Sequence, residues 1–164
     1  MLKLLDAISV LSGRVLIWLV FGVMIFSCAV VVMRYVLGNS DITFYQELVI
    51  YLHASAFMLS AAWTLKRDGH VRVDVLYRSM GSRAKAWVNI IGSILFLLPV
   101  SFFLFFTGYE FASHSWAIRE TSGEASGIPA VFLLKSVVPL ASAFLIIQGF
   151  AEVLRNTLLL YRDD

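Results

Sequence analysis

Charge, cysteine and proline are all scarce in this chain, and each shortage removes a class of explanation. Only 15% of its 164 residues are charged, while 60% are hydrophobic and the mean hydropathy is +0.84. So few charges cannot solvate the surface of a domain this size, which excludes a water-soluble globular protein. The single cysteine, Cys28, permits neither an internal disulfide nor a thiolate metal cluster. Quinone-linked disulfide oxidases, which also use four helices, need several thiols and are excluded with it. Phe26 two residues ahead of Cys28, and the apolar run beyond it, argue against lipoprotein attachment. That run is too long for a cleaved signal peptide and lacks a small-x-small exit. Of three prolines, Pro99 and Pro139 fall inside apolar runs, where each is expected to kink a helix locally.

What is present is four stretches free of charge, at residues 15–33, 48–65, 86–109 and 136–151, the last lengthened by the apolar run 128–134. About 20 apolar residues cross a hydrocarbon core as a helix. The expected fold is therefore an all-α integral membrane protein, one four-helix domain over residues 1–164 without repeats or linkers. Its transmembrane helices fall at about 12–37, 43–67, 83–113 and 129–157. Leu2, Leu5 and Ile8 recur at helical spacing, as in a short amphipathic lead-in lying at the interface. Gly38-Asn39 is a stop signal for the first helix and Asp68-Gly69 for the second. Asp41 or Thr43 can cap helix two, with Glu47 in its first turn or just beyond; Ser82 suits the cap of helix three, and Pro129 the start of helix four.

Orientation follows from the basic residues. Lys3 and Arg14 precede the first span; Lys66, Arg67, Arg72, Arg78, Arg83 and Lys85 crowd the middle connection; Arg155 and Arg162 follow the last span. The other two connections hold only Arg34, Arg119 and the helix-border Lys135. Basic residues near span ends stay in the cytoplasm, so both termini and the middle loop are expected there. Trp18, Tyr35, Tyr45, Trp63, Trp87, Tyr109 and Trp116 lie near the expected interfaces, where amphipathic rings belong.

The spans carry little chemistry. An ionisable group deep in a membrane is expensive and marks a substrate or proton path; here the charges cluster at helix ends, and Lys135 can reach lipid headgroups by snorkelling. His53 and Gln148 are the polar exceptions, and packing is the simpler role for both. A haem would need two His residues on facing helices at matching depth. His70 is cytoplasmic, so only His53 and His114 could meet, and only if helix three extends past Tyr109. No nucleophile and base converge at one depth, so no enzyme, metal or cofactor is expected. A self-sufficient small multidrug exporter would need an acidic residue in its first span, and residues 15–33 have none. The spans do offer surfaces for close approach: Ala54 and Ala61, Ala56 and Ser60 in helix two, and Ala141, Ser142 and Ala143 in helix four. Phe96, Phe102, Phe103, Phe105 and Phe106 cover helix three nearly all round; they suit either lipid or a groove on a larger membrane partner.

The middle loop, residues 66–78, is basic and interleaved with aliphatics, as suits a surface resting on anionic headgroups. Too few cations sit on it for nucleic acid. Its order is more specific than topology needs. Arg67-Asp68-Gly69-His70-Val71-Arg72-Val73-Asp74 closely resembles the cytoplasmic loop of the small, Q-type membrane subunit of tripartite ATP-independent periplasmic transporters. Upstream, Arg34-Tyr35-Val36-Leu37-Gly38 and then Glu47 are similar to the same family at matching distances. Downstream, Gly127-Ile128-Pro129 followed by Pro139 resembles its approach to the fourth helix. Many members place Trp just ahead of the glutamate; Phe44-Tyr45-Gln46 here keeps an aromatic anchor without the indole. The short segment after helix four suggests a separate small subunit rather than a fusion to the large one.

The resemblance implies a division of labour in a bacterial inner membrane. A periplasmic binding protein delivers an organic anion bearing a carboxylate, a large M-type permease subunit of elevator type moves it with sodium coupling, and the small subunit braces the large one, with phospholipids filling the join. Arg34, Glu47, Lys66, Arg67, Gly69, His70 and Asp74 are then architectural or interface residues, and no residue binds substrate. Arg34 and Glu47 flank one short loop with opposite charges and could pair. Arg119, Glu120 and Glu124 are candidates for docking the binding protein, and Lys135 for lipid contact. A four-helix anchor of a redox complex, with or without haem, is the alternative.

Overall fold

The computed structural model describes the backbone of residues 2–38, 41–67, 77 and 79–162, with side chains from residue 15 to 161 within those ranges. The described residues form four α-helices and no strand: α1 (Leu2–Tyr35), α2 (Thr43–Lys66), α3 (Ser82–Ala117) and α4 (Val131–Arg162). All four are long and apolar enough to cross a membrane. The lead-in ahead of the first span is helical and continues into it without a break. At 36 residues α3 is roughly 50 Å long, well beyond a hydrocarbon core of about 30 Å, so its ends project.

The chain runs up and down, so the α1–α2 and α3–α4 connections share one end, called here the loop end. Gly38, at φ +64°, ends the turn that follows α1, where any Cβ would be strained. Arg119, at φ +48°, takes the same left-handed place after α3, and the N–H groups of Arg119 and Glu120 close back on the carbonyls of Trp116 and Ser115. This is a Schellman closure with a non-glycine residue at its centre. Helix starts differ from expectation, and α4 begins at Val131, two residues beyond Pro129. The N-cap of α2 is Ile42, 2% exposed, and no side chain caps there; apolar burial of Ile42 fixes the start instead of Asp41 or Thr43. The cap of α3 is Gly81 in extended conformation, which leaves Ser82 as the first helical residue.

Proline is accommodated differently in the two helices that contain it. Ser93–Leu97 form a π-helical turn just ahead of Pro99, with the Leu98 N–H bonded back to Ser93. Widening the turn moves the preceding carbonyls off the pyrrolidine ring. Pro139 lies within α4, where the Ser142 hydroxyl bonds the Val138 carbonyl at 2.8 Å.

α4 is the hub, packing against α1, α2 and α3. α1 and α2 lie along each other, whereas α3 packs along α4 and has at most glancing contact with α1 and α2. Small residues make the joins. Ala56 and Ala62 of α2, Ala86 and Ala112 of α3, and Ala141 and Ala151 of α4 are buried, so dispersion at short range holds helices that gain little from burial in lipid. A Cβ on Gly108 would stand 2.8 Å from Val138 Cγ1 and 3.3 Å from the Pro139 ring, so α3 rides directly on the α4 backbone there. A Cβ on Gly149 would meet only the ends of Leu97 and Leu98, at 3.0–3.1 Å. The large side chains point outward: Trp18, Phe57, Phe96, Phe103 and Phe106 are all exposed.

Candidate functional site

The polar chemistry is concentrated at the two ends of the helices. At the loop end, Glu47 occupies the fifth position of α2, and its carboxylate reaches across to the α3–α4 connection. Its Oε2 accepts the Ile128 N–H at 2.6 Å and its Oε1 accepts the Ser122 hydroxyl. Ser122 also accepts the Glu124 N–H, and its own N–H is bonded to the Ile128 carbonyl. The loop is thus a closed ring of hydrogen bonds with one carboxylate in it. Gly127 is required by this closeness, since a Cβ there would collide with Ser122 and stand 2.6 Å from Glu47 Oε1. A second tie joins Lys135 of α4 to Glu120, Nζ to Oε2 at 2.5 Å, with the ammonium 4.2 Å from the Phe111 ring centre. Lys135, foremost, holds the Glu120 carboxyl below its ordinary range, helped by the nearby Ser115 hydroxyl and His114. Trp116 donates to Ser136 at 2.8 Å and stacks at a tilt on Phe132, completing the α3–α4 seam.

The opposite end has its own network. Tyr77 donates to Asn89 Oδ1 at 3.2 Å, Asn89 Nδ2 donates to Asn156 at 3.1 Å, and Asn156 donates to the Glu152 carbonyl and Oε1. Arg155 pairs with the other Glu152 oxygen at 2.8 Å. Lys85 lies over the Tyr77 ring and Arg67 over Trp63. This chain of amides ties the end of the middle connection to α3 and α4 at once.

Set against the residues singled out in the sequence, the structure brings some together and separates others. Arg34 is exposed and makes no pair with Glu47, whose partners are Ser122 and Ile128. Lys135 and Glu120, assigned above to lipid and to a protein partner, bind each other. Arg119 and Glu124 are exposed on the ordered loop, Arg67 is exposed, and Lys66 is half-buried. Gly69, His70 and Asp74 lie outside the described residues. Sequence reasoning missed Ser122, Gly108 and the Asn89–Asn156 bond. The only sequence signal for the last is amide placement at the ends of two apolar runs, together with the i,i+4 spacing of Glu152 and Asn156.

Both end networks join one helix to another or to a connection. His53 is the eleventh residue of α2 and His114 stands three residues before the end of α3, so the two lie at different depths from the loop end and do not form the depth-matched pair that a haem needs. No Asp, Glu, Lys or Arg lies midway through any span.

A family model described as "Tripartite ATP-independent periplasmic transporters, DctQ component" matches residues 23–158, most of the chain and at least part of each of the four spans. Neither the comparison with curated proteins nor that with solved structures gives a match. The matched segment contains both end networks, including Glu47, Ser122, Asn89 and Asn156, and with four membrane-length helices around it the chain belongs to the DctQ family, the small membrane subunit of tripartite ATP-independent periplasmic transporters.

Proposed function

We propose that this subunit braces a large elevator-type permease in a bacterial inner membrane, and that the complex takes up a carboxylate-bearing organic anion with sodium after a periplasmic binding protein delivers it. The observation that carries this reading is the combination of charge-free span interiors with helices pinned at both ends by polar ties. A moving, substrate-lined element needs polar groups at depth, whereas a brace needs rigidity and an apolar flank. The exposed apolar side chains of α1 and α3 supply such a flank. Arg119 and Glu124, exposed on the α3–α4 connection, would meet the binding protein. Lys66, Arg67, Gly69, His70 and Asp74 order the middle loop against the membrane and the large subunit.

Co-expression with the large permease from a flanking reading frame should give a complex that survives detergent extraction and size exclusion. Separate elution of the two chains under conditions where each is folded would contradict the bracing role.

On this reading both termini and the middle loop are cytoplasmic, because the basic residues crowd those segments. Cysteines placed at Gly123 and Gly69 in a Cys28→Ser background report the orientation. An impermeant thiol reagent applied to cells with a permeable outer membrane should label the first and not the second. The reverse pattern would invert the topology.

A further inference from the structure

Past its first turn, α2 leaves three side chains exposed: Ile50, His53 and Phe57. They fall at i, i+3 and i+7, one stripe of the helix, and half-buried Gln46, Ser60 and Thr64 extend that stripe in both directions. Ile50 and Phe57 suit lipid. His53 does not.

Depth is the reason. Glu47 and Lys66 bound the charge-free run of α2, and the helix between them rises roughly 28 Å, close to a hydrocarbon core of about 30 Å. His53 follows Glu47 by six residues, which sets it about 9 Å inside one boundary and roughly 20 Å from the other. An imidazole lacks the long stem by which lysine or arginine snorkels out. Every form of the ring carries at least one N–H, and an N–H left bare in hydrocarbon is costly. Among the described residues none hydrogen-bonds or ion-pairs with His53. Ser60, on the same stripe, differs: its hydroxyl bonds the Phe57 carbonyl at 2.7 Å, so the helix itself satisfies it.

We propose that the Ile50–His53–Phe57 face of α2 docks against a transmembrane helix of the large permease, and that a polar side chain of that helix hydrogen-bonds the His53 imidazole. The docking rests on the bracing role proposed above and gives it a location. No lipid headgroup reaches this depth, and no water covers an outward face in hydrocarbon, so the partner is protein. A second copy of this chain fits less well. A two-fold axis along the membrane normal would set His53 against His53, and one bond between two neutral rings leaves the second ring's N–H bare. Ile50 and Phe57, about a turn to either side, close around the bond and keep lipid from it.

Binding of the purified subunit to the purified large permease, measured by fluorescence titration in detergent, tests this face. His53→Leu should weaken binding roughly 3–20-fold, the range of one interhelical hydrogen bond in a membrane. The Tm of that variant alone should equal or exceed the parental value, because no bond within the chain is lost. His53→Gln keeps a donor and an acceptor and should bind more tightly than His53→Leu. Parental affinity in His53→Leu, a lower Tm for that variant alone, or the reverse order of the two variants overturns the proposal. A benzophenone side chain placed at Phe57, which is 72% exposed, reads the occupant directly. Light should join it to the large permease; an adduct with a second copy of this chain, or with no protein, overturns the assignment. Failure of the unaltered chain to bind the large permease would remove the bracing role itself. Parental binding that is indifferent to both His53 and Phe57 would remove this face alone.

Discussion

Glu47→Ala should destabilise the chain by about 2–4 kcal/mol and open the α3–α4 loop, because one carboxylate satisfies two donors there. Removing it strands the Ile128 N–H and the Ser122 hydroxyl in a partly buried ring, and an unsatisfied buried donor costs about 1–3 kcal/mol. Glu47→Gln separates hydrogen bonding from charge. Its amide oxygen can accept from Ile128 while its NH2 donates to Ser122 Oγ, so less than half of the loss should remain. Thermal unfolding in detergent should show a fall in Tm of roughly 5–15 °C for the alanine variant. Limited proteolysis should cut within residues 121–127 in that variant and not in the parent. An alanine variant with parental Tm and an uncut loop would mean that the carboxylate does not hold the loop.

The second large effect lies at the α3–α4 crossing. Gly108→Ala forces a Cβ to 2.8 Å from Val138 Cγ1, where carbon atoms prefer about 3.5–4.0 Å, and the Pro139 ring behind it cannot rotate away. Overpacking of this kind costs about 1–3 kcal/mol, and Gly108→Val should cost more. Gly149→Ala is the internal control, since its neighbours are flexible leucine ends and alanine gains up to about 1 kcal/mol of helix propensity over glycine. Tm should therefore fall in the order Gly149→Ala, Gly108→Ala, Gly108→Val, with the first near the parent. Equal Tm values for Gly108→Ala and Gly149→Ala would show that the crossing at Gly108 tolerates separation.

The helices were legible because charge-free runs of membrane length allow little else in lipid, and the family because short motifs fell at matching distances along the chain. Helix ends were less legible. Ser82 looks like a cap in isolation, but Gly81 takes the extended conformation one residue earlier, and Ile42 caps α2 by burial without a side-chain bond. The polar ties were hidden for a different reason. Sequence proximity suggested Arg34 for Glu47, yet the partner lies 75 residues on at Ser122, set by how α2 meets the α3–α4 loop. Lys135 and Glu120 likewise read as separate surface charges until the Schellman turn at Arg119 folds the chain back and brings them together. Such pairings depend on tertiary placement, which local spacing does not encode.

The central claim is that this chain holds a transporter together without carrying substrate itself. Liposomes containing the subunit alone, the large permease alone, or both, with the binding protein and an inward sodium gradient, test it through uptake of a panel of labelled organic acids. The account predicts uptake only where both membrane subunits are present, and background for the small subunit alone. Sodium-driven uptake by the small subunit without the large one would contradict it.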